Sequence, residues 1–154
     1  MALEYSLYIK SKKSLIQTIN EVTKILNLSY ETEQLSESSI LYTFTSNIGF
    51  QLNLLPQYHR LLKVDRKTYS YNKAVIFRMN KDYGPIKAKK NLVKFVIVLN
   101  EELCGQSLLL FNGEIVILIN DKKNLFIADS EFWHPSVKSE VESIPHFEIS
   151  GKFM

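Results

Sequence analysis

The chain of 154 residues holds a single cysteine, Cys104. No internal disulfide can form, which suits a reducing compartment. Three histidines, His59, His134 and His146, stand far apart, and none lies at a metal-ligand spacing from another. One cysteine cannot complete a thiolate zinc site. Five glycines leave little room for a nucleotide cradle. No phosphate-binding glycine loop, G-x-S-x-G elbow or H-E-x-x-H occurs. The longest apolar runs, 95–99 and 115–119, fall far short of the ~20 residues a membrane span needs. The start, MALEYSLYIK, shows neither a basic n-region before an apolar stretch nor a lipidation motif. These absences lead to the expectation of a soluble, cytoplasmic protein. No catalytic residue, metal ligand or cofactor is expected, and no membrane partner.

What is present is a globular composition, 45% apolar and 12% aromatic. At this length one domain is expected, burying about two-thirds of the unfolded chain's surface. The most informative stretch is 107–133. Asn112-Gly113 lies between two apolar runs and supplies the positive-φ pair of a type I′ turn, which predicts a hairpin. Residues 120–123 turn the chain again, and 124–128 read as a third strand. Such a meander needs a helix or a second sheet over its apolar face.

Upstream, Leu3, Tyr5, Leu7 and Ile9 alternate with Glu4, Ser6 and Tyr8, the pattern of a half-buried strand. Leu15, Ile19, Val22 and Leu26 mark one face of a helix over about 12–27, capped by Ser14 with Gln17, or by Ser11. Residues 30–39 are polar and read as a loop or a poor edge strand. Residues 40–45 and 50–54 read as strands about a turn at Ser46-Asn47-Ile48-Gly49, and Pro56 ends the second. Residues 57–72 fit an edge strand or a long loop, and 73–80 a strand. Over 86–103, Leu92, Val96, Leu99 and Leu103 keep helical period, with Gly105 expected as the C′ residue. A short helix is expected over 136–143, with Phe147, Ile149 and Phe153 touching the body. The fold class is α+β: a mainly antiparallel sheet of about six or seven strands with two main helices on one face.

Charge is uneven. Residues 60–94 carry eleven basic and two acidic residues, a net of +9. Residues 101–148 carry nine acidic and three basic residues, a net of −6. The basic segment, interleaved with Tyr69, Tyr71 and Phe77, fits phosphate neutralisation with stacking, or else a solvated helix face and edge-strand lysines. A small nucleic-acid-binding module is therefore the alternative functional reading. Cys104 with a histidine fits a nucleophile and base, but its place at a helix end favours a packing role. Glu31, Glu33 and Glu37 fit a solvated face better than catalytic carboxylates, and would also suit a basic partner. Trp133, after Phe132, is read as an anchor for the end of the meander in preference to an exposed hot spot.

The opening M-A-L-E-Y with its strand and helix, then the strand at 74–79, the long helix, Ser107-Leu-Leu-Leu-Phe-Asn-Gly-Glu and the pair Phe132-Trp133 resemble the Sit-type immunity proteins of bacterial toxin exchange. Residues 57–72 lie outside the recognised pattern. The resemblance implies a small cytoplasmic protein that binds and neutralises one cognate protein toxin, a job also found in contact-dependent growth inhibition. It carries no catalytic residues. A monomer or weak dimer is expected. Candidate contact surfaces are the acidic stretch 31–37, the basic segment 60–94 and the acidic tail 129–148. The candidate toxin-binding residues are Glu31, Glu33, Glu37, Arg60, Arg66, Asp129 and Glu131. A nuclease toxin would present a basic cleft, which favours the acidic members of that set.

Overall fold

The computed structural model describes residues 3–64, 66–128 and 130–149. Alternation in the first residues does form a strand, β1 (Glu4–Lys10), but Ser6 and Tyr8 are buried along with Tyr5, Leu7 and Ile9. The strand expected to be half-buried is covered on both faces because two layers close on it. On the first face lie α1 (Leu15–Ile25) and, later in the chain, α2 (Pro85–Leu103). Leu15, Ile19 and Val22 of α1 meet Leu92, Val96 and Leu99 of α2 over Leu7, Ile9, Val75 and Phe77. The cap of α1 is Ser14, whose Oγ accepts from the Gln17 N–H at 3.3 Å. Ser11 is used differently. Its hydroxyl donates to the Leu103 carbonyl at 2.9 Å, tying the end of β1 to the end of α2.

Between the helices the chain makes β2 (Tyr30–Ser36), β3 (Ser39–Phe44), β4 (Phe50–Leu55), β5 (Arg60–Val64), β6 (Lys67–Tyr71) and β7 (Lys73–Met79). After α2 come β8 (Gln106–Phe111), β9 (Ile115–Asn120), β10 (Leu125–Ala128), the short α3 (Pro135–Lys138) and β11 (Phe147–Ile149). Nine strands form one sheet in the order β11-β10-β9-β8-β1-β7-β4-β3-β2, so the expected six or seven is an undercount. The polar stretch at 30–36 is a true edge strand. Residues 147–149 add a further strand, parallel to β10.

Residues 57–72 are neither a single edge strand nor a loop. They fold into a separate two-stranded antiparallel hairpin, β5–β6, laid over the second face of the sheet. Leu62, Val64 and Tyr71 pack there against Tyr8, Ala74, Leu108, Leu110 and Val116. The apolar residues of this stretch therefore have a core of their own, which a search for one core does not anticipate.

The meander is as expected in outline. Asn112 (φ 49) and Gly113 (φ 76) both take positive φ, and the Glu114 N–H donates to the Phe111 carbonyl at 3.1 Å. Trp133 is buried, and its Nε1–H donates to the Ile117 carbonyl at 3.2 Å, so it does anchor the end of the meander. The helix expected over 136–143 is shorter and starts one residue earlier; Val137 within it and Val141 after it are fully buried. Phe153 lies outside the described residues.

The end of α2 differs from expectation in a revealing way. Cys104, not Gly105, takes the left-handed position (φ 51). That turn carries its side chain out to solvent, so the packing role expected for Cys104 is not observed. Gly105 serves a different need: a Cβ there would sit 2.3 Å from the Lys10 carbonyl oxygen. Only a residue without a side chain lets β8 begin so close to the end of β1. Gly105→Ala should therefore destabilise the protein by about 2 kcal/mol or more, since backbone must move to admit the methyl. A urea midpoint unchanged from the parent would contradict this account.

Candidate functional site

The β5–β6 hairpin covers only part of the second face. Its residues pack on β1, β8, β9 and β10 and on the first residues of β7. Beyond it the same face lies open over β2, β3, β4 and the far half of β7. Register places one row across that opening: Glu33 beside Leu41, then Asn53 and Ile76, before the row passes to the buried Ser6 of β1. In the neighbouring row Glu31 faces Thr43, and Gln51, Arg78 and Glu4 follow one another. Glu4, Glu31, Glu33, Thr43, Gln51 and Arg78 are all exposed. Asn53 Oδ1 is shut from solvent and has no hydrogen-bond partner. A cleft of about 360 Å³ opens at the end of this region, lined by Thr43, Gln51, Arg78 and Asn80 among others.

The rim of the open face is β2, every residue of which after Tyr30 is exposed. It is held by side chains on its first-face side. The Tyr30 hydroxyl donates to Asn20 Oδ1 of α1 at 2.7 Å, and the Tyr30 ring lies 4.9 Å from that of Tyr42. Among the described residues no ion pair takes in Glu31, Glu33 or Glu37. Glu4, Glu31 and Glu33 set against Arg78 leave the open face acidic. The arrangement offers carboxylates and amides on a pleated surface, with no nucleophile beside a base. Among the described residues no three His, Cys, Asp or Glu side chains gather to hold a metal ion, and no helix is long and apolar enough to cross a membrane.

A family model for SitI3-like proteins matches residues 3–137. The chain belongs to the SitI3-like family. This is the Sit-type immunity family that the sequence resembles, and the matched span takes in residues 57–72 as well. Comparisons with curated proteins and with solved structures return no match.

In this SitI3-like chain the expected contact residues do not form one surface. Glu31 and Glu33 stand on β2 and Glu37 in the turn that follows, so these three share an edge. Glu131 follows β10, near the opposite end of the strand order. Asp129 lies outside the described residues. The basic segment is divided by the sheet. Arg60, Lys63, Arg66 and Lys67 belong to the hairpin on the second face, whereas Lys87, Lys89, Lys90 and Lys94 ride on α2 over the first. Lys90 and Lys94 each lie 3.9 Å from Glu140, and Lys89 lies 5.6 Å from the centre of the Phe132 ring. Lys73 is spent structurally: its ammonium donates to the Ser11 carbonyl, and burial lowers its pKa. Glu148, in β11, is held below its usual range by the hydrogen bond and charge of Lys138.

Sequence reasoning missed Thr43, Gln51 and Asn53, and took Arg78 only as part of the basic segment 60–94. Alternation in 73–79 sets Arg78 with Ala74 and Ile76, but nothing local shows that the second face is open there.

Arg60 fastens the hairpin to β1. Its Nη1–H donates to the Tyr8 hydroxyl at 3.0 Å, and its guanidinium lies 5.2 Å over the Tyr8 ring. Arg60→Ala should cost about 1–2 kcal/mol. It should also speed amide exchange throughout β5 and β6, read by hydrogen-exchange mass spectrometry, while β3 and β4 keep their protection.

Proposed function

We propose that this protein is an immunity protein that binds one cognate bacterial toxin and neutralises it stoichiometrically, without catalysis. The observation that carries this reading is the SitI3-like match over residues 3–137. The open, acid-rimmed half of the second face supports it, because a binding module needs a solvent-facing surface that its own core does not consume. The partner is a toxin with a basic active-site region, of which a nuclease is the best fit. Glu31, Glu33 and Glu37 complement such a cleft and speed encounter with it. The protein acts in the cytoplasm of the cell it protects, as one copy per toxin, in interbacterial competition of the contact-dependent kind. The nucleic-acid alternative loses its main support, since the basic segment is split between the two faces of the sheet.

The test is co-expression with candidate toxin domains, beginning with any encoded beside the gene. Growth should be restored, and a one-to-one complex should elute from a sizing column. Continued killing with no complex would sink the proposal. In the same assay Glu31→Lys with Glu33→Lys should weaken binding about tenfold or more through a slower association rate. Thermal stability should stay within about 0.5 kcal/mol of the parent, as both side chains are exposed.

A further inference from the structure

We infer that the partner docks by adding a cationic extended strand to the free edge of β2, so that recognition is written in the backbone of residues 30–34. The identification of that partner as a toxin rests on the function proposed above; the docking mode rests on the edge itself. The Thr45 N–H donates to the Ser29 carbonyl at 2.9 Å just before the strand, and β2 then runs in antiparallel register with β3 from Tyr30↔Phe44 to Gln34↔Ile40. Hydrogen-bonded and non-bonded pairs alternate in such a ladder. Glu31 and Glu33 are thus the residues whose backbone groups bond to β3. The N–H and C=O groups of Thr32 and Gln34 point the other way, out from the edge. A strand laid along β2 would meet ready donors and acceptors there, with side-chain contacts at alternate positions.

Edges of this kind are normally blunted by brevity, proline or a bulge. The opposite edge, β11, is three residues long and its Glu148 is engaged by Lys138. By contrast β2 has seven residues and no proline, and its irregularity comes only at the end, between Gln34 and Ser36. Charge selects the occupant. In an antiparallel pairing of two copies centred on residue 33, Glu33 would meet Glu33, and centred on residue 32, Glu31 would meet Glu33. Like charges directly opposite are unfavourable. A strand with Lys or Arg at alternate positions puts cations against Glu31 and Glu33 instead.

Two probes test this: a ten-residue peptide alternating Lys and Val, and the candidate toxin domain of the co-expression test above. The peptide should slow amide exchange at Thr32 and Gln34, and its Glu-for-Lys counterpart should not. Thr32→Pro removes an outward N–H while leaving the β3 ladder intact, a placement that edge strands accept, and should weaken both probes about tenfold or more. Should that variant unfold, the decisive probe becomes the peptide N-methylated at alternate amides, with unchanged charge, on the parent protein. Equal binding by the methylated peptide, equal binding by a folded Thr32→Pro, or protection falling outside β2 would each overturn strand addition. A toxin that binds Thr32→Pro undiminished overturns strand addition and leaves the immunity reading standing. A toxin that ignores the parent protein, while the peptide protects β2, does the reverse.

Discussion

Everything in this fold depends on β1 finding a partner for each of its backbone groups. Both its faces are packed, so water cannot serve. β7 satisfies one side and β8 the other. The ends of the strand are closed by single residues reaching in from elsewhere. At its start the Met79 N–H donates to the Leu3 carbonyl and the Asn112 N–H to the Glu4 carbonyl, both at 2.9 Å. At its end the Asn72 N–H donates to the Ile9 carbonyl at 2.9 Å, and the Asn72 side chain bonds both backbone groups of Ser11. Gly105 permits the closest approach of all. Helices and hairpin are arranged around this seam.

The elements that sequence reading finds are those with local causes. Asn112-Gly113 sets its own turn, Ser14 caps its own helix, and Pro56 and Pro85 stop or start what adjoins them. Leu92, Val96 and Leu99 keep helical spacing even though Val96, Ile97 and Val98 would suit a strand. The failures have distant causes. Tyr8 is polar at its tip and reads as solvent-facing; it is buried because Tyr58, Tyr71 and Arg60 come to it from a segment fifty residues later. Strand β11 is three residues pairing in parallel with β10, too short to leave an alternating pattern. At the candidate surface, Glu31 and Glu33 are legible as exposed acids. Their neighbours across the sheet are not, because register is a property of pairing and leaves no mark in either strand alone.

The open face follows from simple dimensions. Nine strands at about 4.8 Å spacing span close to 40 Å, whereas a five-residue strand is about 17 Å long. A hairpin of that size cannot cover the whole second face. It sits where apolar residues are densest: Ala74, Leu108, Leu110, Val116 and Ile119 lie under it, while Gln51, Asn53 and Arg78 lie beyond with Leu41 and Ile76. Polarity on the sheet and reach of the hairpin agree, so the uncovered region costs little stability and stays available for a partner.

The strand order has a temporal side. β1 leaves the ribosome before both of its neighbours, which lie at residues 73–79 and 106–111. Until β8 has been made, Leu7 and Ile9 have no complete sheet to join. Non-local pairing of this sort slows folding and exposes apolar segments meanwhile. Synthesis thus supplies the central strand early and completes its pairing late.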